Sequence, residues 1–470
     1  MSKEYDLVIL GGGTAGYVSA IRAAQLGKKV AIVEKYKLGG TCLHKGCIPT
    51  KSYLKTAEIL RYINHADQYG IKQASANFDI QDVVAKKDET VTAMYTGVQS
   101  LMKKYKIDVY QGNGRLLGPS LFSPQAGTVS VELENGESEL LVNQNVLIAT
   151  GSKPVELPFL KFNHKTIISS DDMMNMETLP NNILIIGGGV IGLEFASLLN
   201  DLGVDVTVVE AGASIIPNEQ QEISKIIKKD FQESGIKIYE DLPLSEENIS
   251  ITDQNIKVQL RDDEVTFDKV LVAVGRKPNT EDIGIQNTKI KTDDKGYIVT
   301  NNVYQTEDKH IYAVGDVIGN YQLAHVATKE GTISVENMFD QNPIQLDYLT
   351  VPRCIYTNPE VASIGMTEQD AKNENINYKK FKVPFKAIGK SVIENNGLGE
   401  CILIKDMEND RVLGIHMVGA KVTELINEVS LFTFMNGSTE ELATAVHAHP
   451  SIGEVLMELG LKSENRAIHV

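Results

Sequence analysis

The chain has 470 residues, only four cysteines and a formal net charge of −16. Its length is too great for one ordinary domain, and roughly three is the prior. The acidic balance argues against nucleic acid and anionic membrane as partners, and so few cysteines do not make a secreted disulfide scaffold.

The N-terminal "MSKEYDLVIL" carries Glu4 and Asp6 where a signal peptide needs basic residues, and no small-residue cleavage site follows. A cytoplasmic location is expected, where a close cysteine pair is catalytic or metal-binding more often than structural. The stretch 5–35, "YDLVILGGGTAGYVSAIRAAQLGKKVAIVEK", reads as an apolar strand, a glycine turn, a helix and a second strand ending in Glu34. Gly11, Gly13 and Gly16 form G-x-G-x-x-G, the dinucleotide fingerprint of an α/β unit. The first glycine permits the tight turn, the second lets a pyrophosphate approach the backbone, and the third lets helix pack on strand. The acid eighteen residues later is placed to bind both hydroxyls of an adenosine ribose.

"GGTCLHKGCIPTK" (39–51) follows directly, with Cys42 and Cys47 five positions apart. Pro49 is an early helix position, and "TKSYLKTAEILRYI" continues the helix. Cys47 therefore lies near a helix N-terminus, where the dipole favours a thiolate. Three glycines give the pair room to close into a disulfide beside whatever the first unit binds. Two alternatives stand: Cys42, His44 and Cys47 as metal ligands, although no second ligand pair has zinc spacing, and a pair of inert buried thiols.

A second copy of the opening unit spans 181–211, "NNILIIGGGVIGLEFASLLNDLGVDVTVVEA". Gly11, Gly13, Gly16 and Glu34 recur as Gly187, Gly189, Gly192 and Glu210, at a constant offset of 176. Its apolar run is broken by glycines and carries Glu194, so it is not a membrane span. Glu194 on so apolar a helix needs a partner if buried; the plainer alternative is an exposed carboxylate. Each unit is followed by an apolar strand ending in glycine, "VLIATGSKP" and "VLVAVGRKPN", and a third, "IYAVGDVIG", ends in Gly-Asp. Glycine there lets backbone approach a ligand closely, and the Gly-Asp strand is expected to return to one of the two sites. From about 351 the character changes: "ECILIKDMENDRVLGIHMVG" reads as two strands around a polar turn and "KVTELINEVSLFTFMN" as an amphipathic helix, an α+β domain with an antiparallel sheet.

These motifs, with "IYTNPEVASIGMTE" and "HAHPSIGE", run through essentially the whole chain. Together they resemble the pyridine nucleotide–disulfide oxidoreductases, and within them the flavin subunits that serve 2-oxo acid dehydrogenase complexes. The resemblance implies an FAD-binding domain (1–150), an NAD-binding domain (151–279), a central domain completing the FAD site (280–350) and an interface domain (351–470). It also implies a homodimer whose active sites are shared across the interface. The fold class is then α/β, two Rossmann-like domains plus a C-terminal α+β dimerisation domain. The chain departs from the family at Thr14-Ala15, His44-Lys45 and Asn358, where Pro-Gly, Asn-Val and often His are usual.

By resemblance, Cys42 and Cys47 are the redox-active pair, His449 is the general acid/base and Glu454 fixes its tautomer. Gly11, Gly13, Gly16, Glu34, Lys51, Gly114, Gly151, Asp316 and Ala324 are assigned to FAD. Gly187, Gly189, Gly192, Glu194, Glu210 and Gly275 are assigned to NAD, with Lys51 and Glu194 expected to pair beside the flavin. The plainer reading of Asp316 is a helix N-cap. Glu210 repels a 2′-phosphate and no arginine follows it in "VEAGASII", which favours NAD over NADP. His449–Pro450 is a candidate cis peptide, His447 is positional, His325 packs near the flavin, and Cys354 and Cys401 are small core residues. The implied partner is a lipoyl-bearing acyltransferase subunit, and no resident metal is expected. Two rival readings are a glutathione-reductase-like NAD(P)H disulfide reductase and a redox or assembly subunit without turnover.

Overall fold

The computed structural model describes residues 3–119, 127–251 and 255–470. Strand β1 (Lys3–Leu10) leads through the first glycine turn into helix α1 (Thr14–Gln25) and strand β2 (Val30–Glu34). Then come α2 (Gly40–His44), α3 (Cys47–Asn64), α4 (Ile80–Lys104), β3 (Asp108–Leu116), β4 (Val129–Leu133) and β5 (Ser138–Ile148). β1 lies between β2 and β5, parallel to both, and β3 extends the sheet beyond β2. β4 joins β3 to β5 as an antiparallel meander. The run Leu7–Leu10 is wholly buried, as expected for a central parallel strand covered on both faces.

The Gly-Asp strand does return: Ile311–Ala313 adds to the first sheet parallel to β5. The helix Ala324–Met338 packs on α1. Ile298, Tyr304, Ile311, Ile333 and Val335 from 280–350 join the same apolar core as β1, so this segment buries its apolar residues against the first nucleotide unit.

The second unit repeats the architecture. Its parallel strands run Lys237–Tyr239, Asp205–Val209, Asn182–Ile186, Lys269–Val272 and Ile167–Ile168 across the sheet, with α5 (Val190–Asp201) after the second glycine turn. A three-stranded antiparallel meander covers one face. Ser152–Pro154 and Arg276–Pro278 form a short antiparallel ladder joining the two units where their buried strands end.

The last portion is a five-stranded antiparallel sheet, ordered Arg353–Ile355, Glu360–Gly365, Val412–Gly419, Glu400–Asp406 and Tyr378–Pro384. Strand residues alternate between two cores. Ala362, Ile364, Leu403 and Ile415 face the C-terminal helices, whereas Val361, Ile402, Ile404 and Val418 pack against the second nucleotide unit with Ile223 and Phe231. Among the described residues, no helix is long and apolar enough to cross a membrane.

Candidate active site

The two glycine turns are alike in detail. Gly11 and Gly187 have φ of 98° and 112°, and a Cβ on either would stand 2.3 or 2.4 Å from the carbonyl oxygen of Ala149 or Ala273. At Gly16 and Gly192 a Cβ would come within 1.9 and 2.1 Å of the Gly11 and Gly187 oxygens. The middle glycines differ from these: the nearest heavy atom to a Cβ at Gly13 is 3.8 Å away, and none lies within 4 Å at Gly189. The outer glycines are thus required by packing, and the middle one borders open space, which is the division of labour a pyrophosphate needs. α1 and α5 begin there with no side-chain cap and no acidic residue in the first turn, leaving their N–H groups for an anion.

The acids repeat as well. Glu34 accepts from the Gly12 and Tyr36 amides at 2.6 and 2.7 Å, and Glu210 from the Gly188 and Gly212 amides, both at 2.7 Å. Backbone donors hold each carboxylate at the mouth of its turn, and each oxygen keeps a lone pair for a ribose hydroxyl. Gly151 and Gly275 both have positive φ, and a Cβ on either would find no heavy atom within 4 Å. Gly114 has a packing role of its own, because a Cβ would meet Leu10 and Val33 side chains at 2.6 and 3.0 Å. Ala324 opens the helix that packs on α1.

Asp316 is not an N-cap. It lies inside a 3-10 turn, Gly315–Ile318, whose capping position is Val314. Its carboxylate accepts instead from Ser152 Oγ at 2.5 Å, because the glycine ahead of it carries the turn past the capping geometry with a φ of 75°.

Both cysteines are half-buried thiols. Cys47 is the first residue of α3, and α2 carries Cys42 one short turn earlier. They are strongly inequivalent. The Cys47 thiol is pulled down to about 7, first by a hydrogen bond from Cys42 and then by the Lys51 charge and the helix amide, against the cost of burial. Cys42 is pushed far above the ordinary thiol range, because it gives that hydrogen bond, is buried and faces the Cys47 charge. The Lys51 charge and the N-terminus of α3 both favour negative charge at Cys47.

Lys51 follows one turn after Cys47 on α3 and meets α5. Its Nζ donates to both Glu194 oxygens, at 2.9 and 2.8 Å, so Glu194 is buried and paired as its apolar helix required. Sequence reasoning missed Tyr356. Its amide donates to Glu194 Oε1 at 3.0 Å, and Lys51 Nζ sits 4.5 Å from its ring centroid. An aromatic residue in "IYTNPE" gives no sign of this. His44 turns back onto the Leu38 carbonyl at 2.8 Å and lies edge-on to Tyr95, while Lys45 reaches Asp171 at 3.0 Å. Cys401 is fully buried. Cys354 is only half-buried, and burial pushes its thiol up to about 11.

His449 stands apart, before the helix Glu454–Ser463, which packs on Thr439–Thr444 and the strands Tyr378–Pro384 and Glu400–Asp406. Its Nδ1 meets Glu454 Oε1 at 2.8 Å, and the Ser451 amide holds the other carboxylate oxygen at 3.0 Å. Those two contacts, the amide first, lower the Glu454 pKa. The His449 side chain is 80% exposed against 18% for Glu454. The ring is thus held at Nδ1 by a sheltered carboxylate while most of the side chain faces solvent. The His449–Pro450 bond is cis. His447 is held by Glu428 at 2.9 Å, and His325 by the Pro352 carbonyl at 2.9 Å.

Residues 5–331 match the family described as pyridine nucleotide-disulphide oxidoreductase, and residues 351–459 match its dimerisation domain. A protein named dihydrolipoyl dehydrogenase from Bacillus subtilis is 47% identical over the full length of both chains. One of the same name from Zymomonas mobilis is 35% identical, again over the full length of both. Among solved structures, LpdA from Mycobacterium tuberculosis superposes with a TM-score of 0.90 at 22% identity, covering 98% of this chain and 99% of that one. With both domains matched and full-length relatives well above chance similarity, the chain belongs to the pyridine nucleotide-disulphide oxidoreductase family.

Proposed function

We propose that this chain is a dihydrolipoyl dehydrogenase, which oxidises protein-bound dihydrolipoyl groups to the lipoyl disulfide and reduces NAD⁺. The observation that carries the reading is the placement of the pair: Cys47 is the first residue of α3, Cys42 lies one short turn earlier, and Lys51, bonded to the buried Glu194, follows one turn after Cys47, where its charge favours a thiolate. FAD and NAD are the family's cofactors, and both glycine cradles suit a dinucleotide. Gly11, Gly13, Gly16, Glu34, Gly114, Gly151, Asp316 and Ala324 would hold FAD, with Lys51 and Glu194 beside it. Gly187, Gly189, Gly192, Glu210 and Gly275 would hold NAD. This reading divides the chain at 1–150, 151–279, 280–350 and 351–470.

His449, with Nδ1 anchored on Glu454, takes a proton at Nε2 from a dihydrolipoyl thiol. The resulting thiolate attacks Sγ of Cys42 in the Cys42–Cys47 disulfide. A sulfur–sulfur bond forms to Cys42, the Cys42–Cys47 bond breaks, and Cys47 leaves as a thiolate stabilised by Lys51 and the helix N-terminus. The second dihydrolipoyl sulfur then displaces Cys42 and closes the lipoyl disulfide, and its proton goes to Cys42. The chain is left two electrons richer, with one proton on His449 and one on Cys42. Bound FAD supplies the carriage of those two electrons from the dithiol to NAD⁺, which restores the disulfide.

The exposure of His449 supports a shared site in a homodimer, in which one protomer's His449 serves the cysteines of the other. Leu431, Met435 and Val446 give the same C-terminal domain exposed apolar surface, Val446 being 98% exposed. The lipoyl group would arrive on an acyltransferase subunit of a 2-oxo acid dehydrogenase complex, in the cytoplasm. Mixed dimers test the arrangement. Cys42→Ser and His449→Gln homodimers should each be nearly inactive, while a heterodimer of the two recovers one working site. Heterodimers that form but stay inactive would place the whole site within one chain.

A further inference from the structure

Three strands from separate parts of the chain, ending at Ile148, Val272 and Ala313, are each followed within three residues by a glycine and then a polar residue: Gly151-Ser152, Gly275-Arg276 and Gly315-Asp316. The residues after the glycines meet. Arg276 Nε donates to Ser152 Oγ at 2.8 Å, and Arg276 Nη2 to the Ser152 carbonyl at 2.9 Å. Ser152 Oγ donates to Asp316 Oδ2 at 2.5 Å.

The order of donation is forced. Arginine has no acceptor, and a serine hydroxyl has one proton. With Arg276 donating to Oγ, that proton is directed to the carboxylate. Ser152 is buried, so solvent cannot readily replace either bond. A cation at one end and an anion at the other strengthen both links. The turn carrying Asp316 is fixed from a second side, where the Gly315 amide donates to the fully buried Glu330 at 2.7 Å.

We propose that Arg276 is a positioning residue for the flavin cofactor. Through Ser152 it holds the Asp316 carboxylate in one orientation and leaves the other oxygen to a cofactor hydroxyl. Arg276 belongs to the segment whose Gly275 is assigned to the nicotinamide nucleotide, so the second nucleotide unit contributes to holding the first unit's cofactor. This inference rests on the FAD reading above and assigns it a residue outside the fingerprints.

The test measures FAD dissociation from purified holoenzyme by the return of flavin fluorescence on dilution. Arg276→Gln is expected to raise the FAD dissociation constant about tenfold, roughly the loss of one charge-assisted hydrogen bond. Ser152→Ala should do the same, and the double variant should be no worse than either, because both cut one chain of contacts. Arg276→Lys should recover part of the loss. Lys277→Gln, on the same ladder but outside the side-chain bonds that join the three residues, serves as the control and should leave the constant unchanged. With FAD saturating, the KM for dihydrolipoamide should stay at the wild-type value. An unchanged FAD constant in Arg276→Gln, or additive losses near a hundredfold in the double variant, would overturn the proposal. If Arg276→Gln does not fold, Ser152→Ala reads the same contact with a smaller change. Wild-type protein that takes up no FAD would instead remove the functional reading itself.

Discussion

Replacing Lys51 by Met should raise the pKa of the Cys47 thiol, and replacing Glu194 by Gln should lower it. Lys51 lies four residues after Cys47 on α3, on the same helix face. After the Cys42 hydrogen bond, its charge is what most favours the Cys47 thiolate, whereas the Glu194 carboxylate acts in the opposite sense. At roughly 6 Å and an effective dielectric of about 20, two unit charges interact by about 2.8 kcal/mol, or about two pKa units. The Lys51 side chain is 34% exposed and its charge is shared with Glu194 at 2.8 Å. Solvent screening and that sharing bring the expected rise to about one unit. The assay is the rate of Cys47 alkylation by iodoacetamide against pH in the reduced enzyme, with the site located by peptide mapping. Wild type should show its midpoint at about 7. Lys51→Met also strands a carboxylate that is 7% exposed, leaving it the Tyr356 amide, so thermal unfolding must be followed in parallel. A Lys51→Met midpoint at or below that of wild type, or a Glu194→Gln midpoint above it, would refute the reasoning.

His449→Gln should leave flavin content unchanged and cut turnover with dihydrolipoamide by at least ~10²-fold, the usual loss of a general acid/base. Glu454→Gln should cost less, since it removes only the anchor at Nδ1. If Glu210 binds the adenosine ribose as proposed, it repels a 2′-phosphate, so kcat/KM should favour NAD⁺ over NADP⁺ by on the order of 100-fold, and Glu210→Ala should narrow that ratio; equal activity of wild type with both nucleotides would sink the assignment. The Cys47 pKa is depressed, so the thiolate is present above about pH 7 and lost below it. In the reverse direction, with NADH reducing lipoamide, the rate should fall as pH drops through that value, and a flat profile would contradict it.

The duplication carried most of the fold into view. Two glycine turns at one offset implied two βαβ units, and the structure has them down to the paired backbone amides on Glu34 and Glu210. The Gly-Asp strand showed its return through its likeness to the two strands before it. Other features depend on distant partners and leave no local mark. Glu194 announced a need for a counter-charge because its helix is apolar, but Tyr356 joins it only through the fold of a turn 162 residues away. Asp316 has the residue type of a cap, yet the backbone of Gly315 puts it inside the turn, facing Ser152. Cys354 reads as apolar from sequence, and the strand edge it occupies leaves it half-buried. The second face of the C-terminal sheet showed alternation, but its packing against the other domain came only from tertiary structure.

The central claim is that Cys42 and Cys47 pass electrons from dihydrolipoyl groups to NAD⁺. The direct measurement is NADH formation by the purified enzyme with dihydrolipoamide and NAD⁺, beside glutathione disulfide with NADPH and a Cys42→Ser control. The account predicts flavin-dependent NADH formation in wild type, none in Cys42→Ser, and negligible glutathione disulfide reduction. A flavin-loaded wild type that forms no NADH from dihydrolipoamide, or that reduces glutathione disulfide with NADPH as its faster reaction, would contradict it.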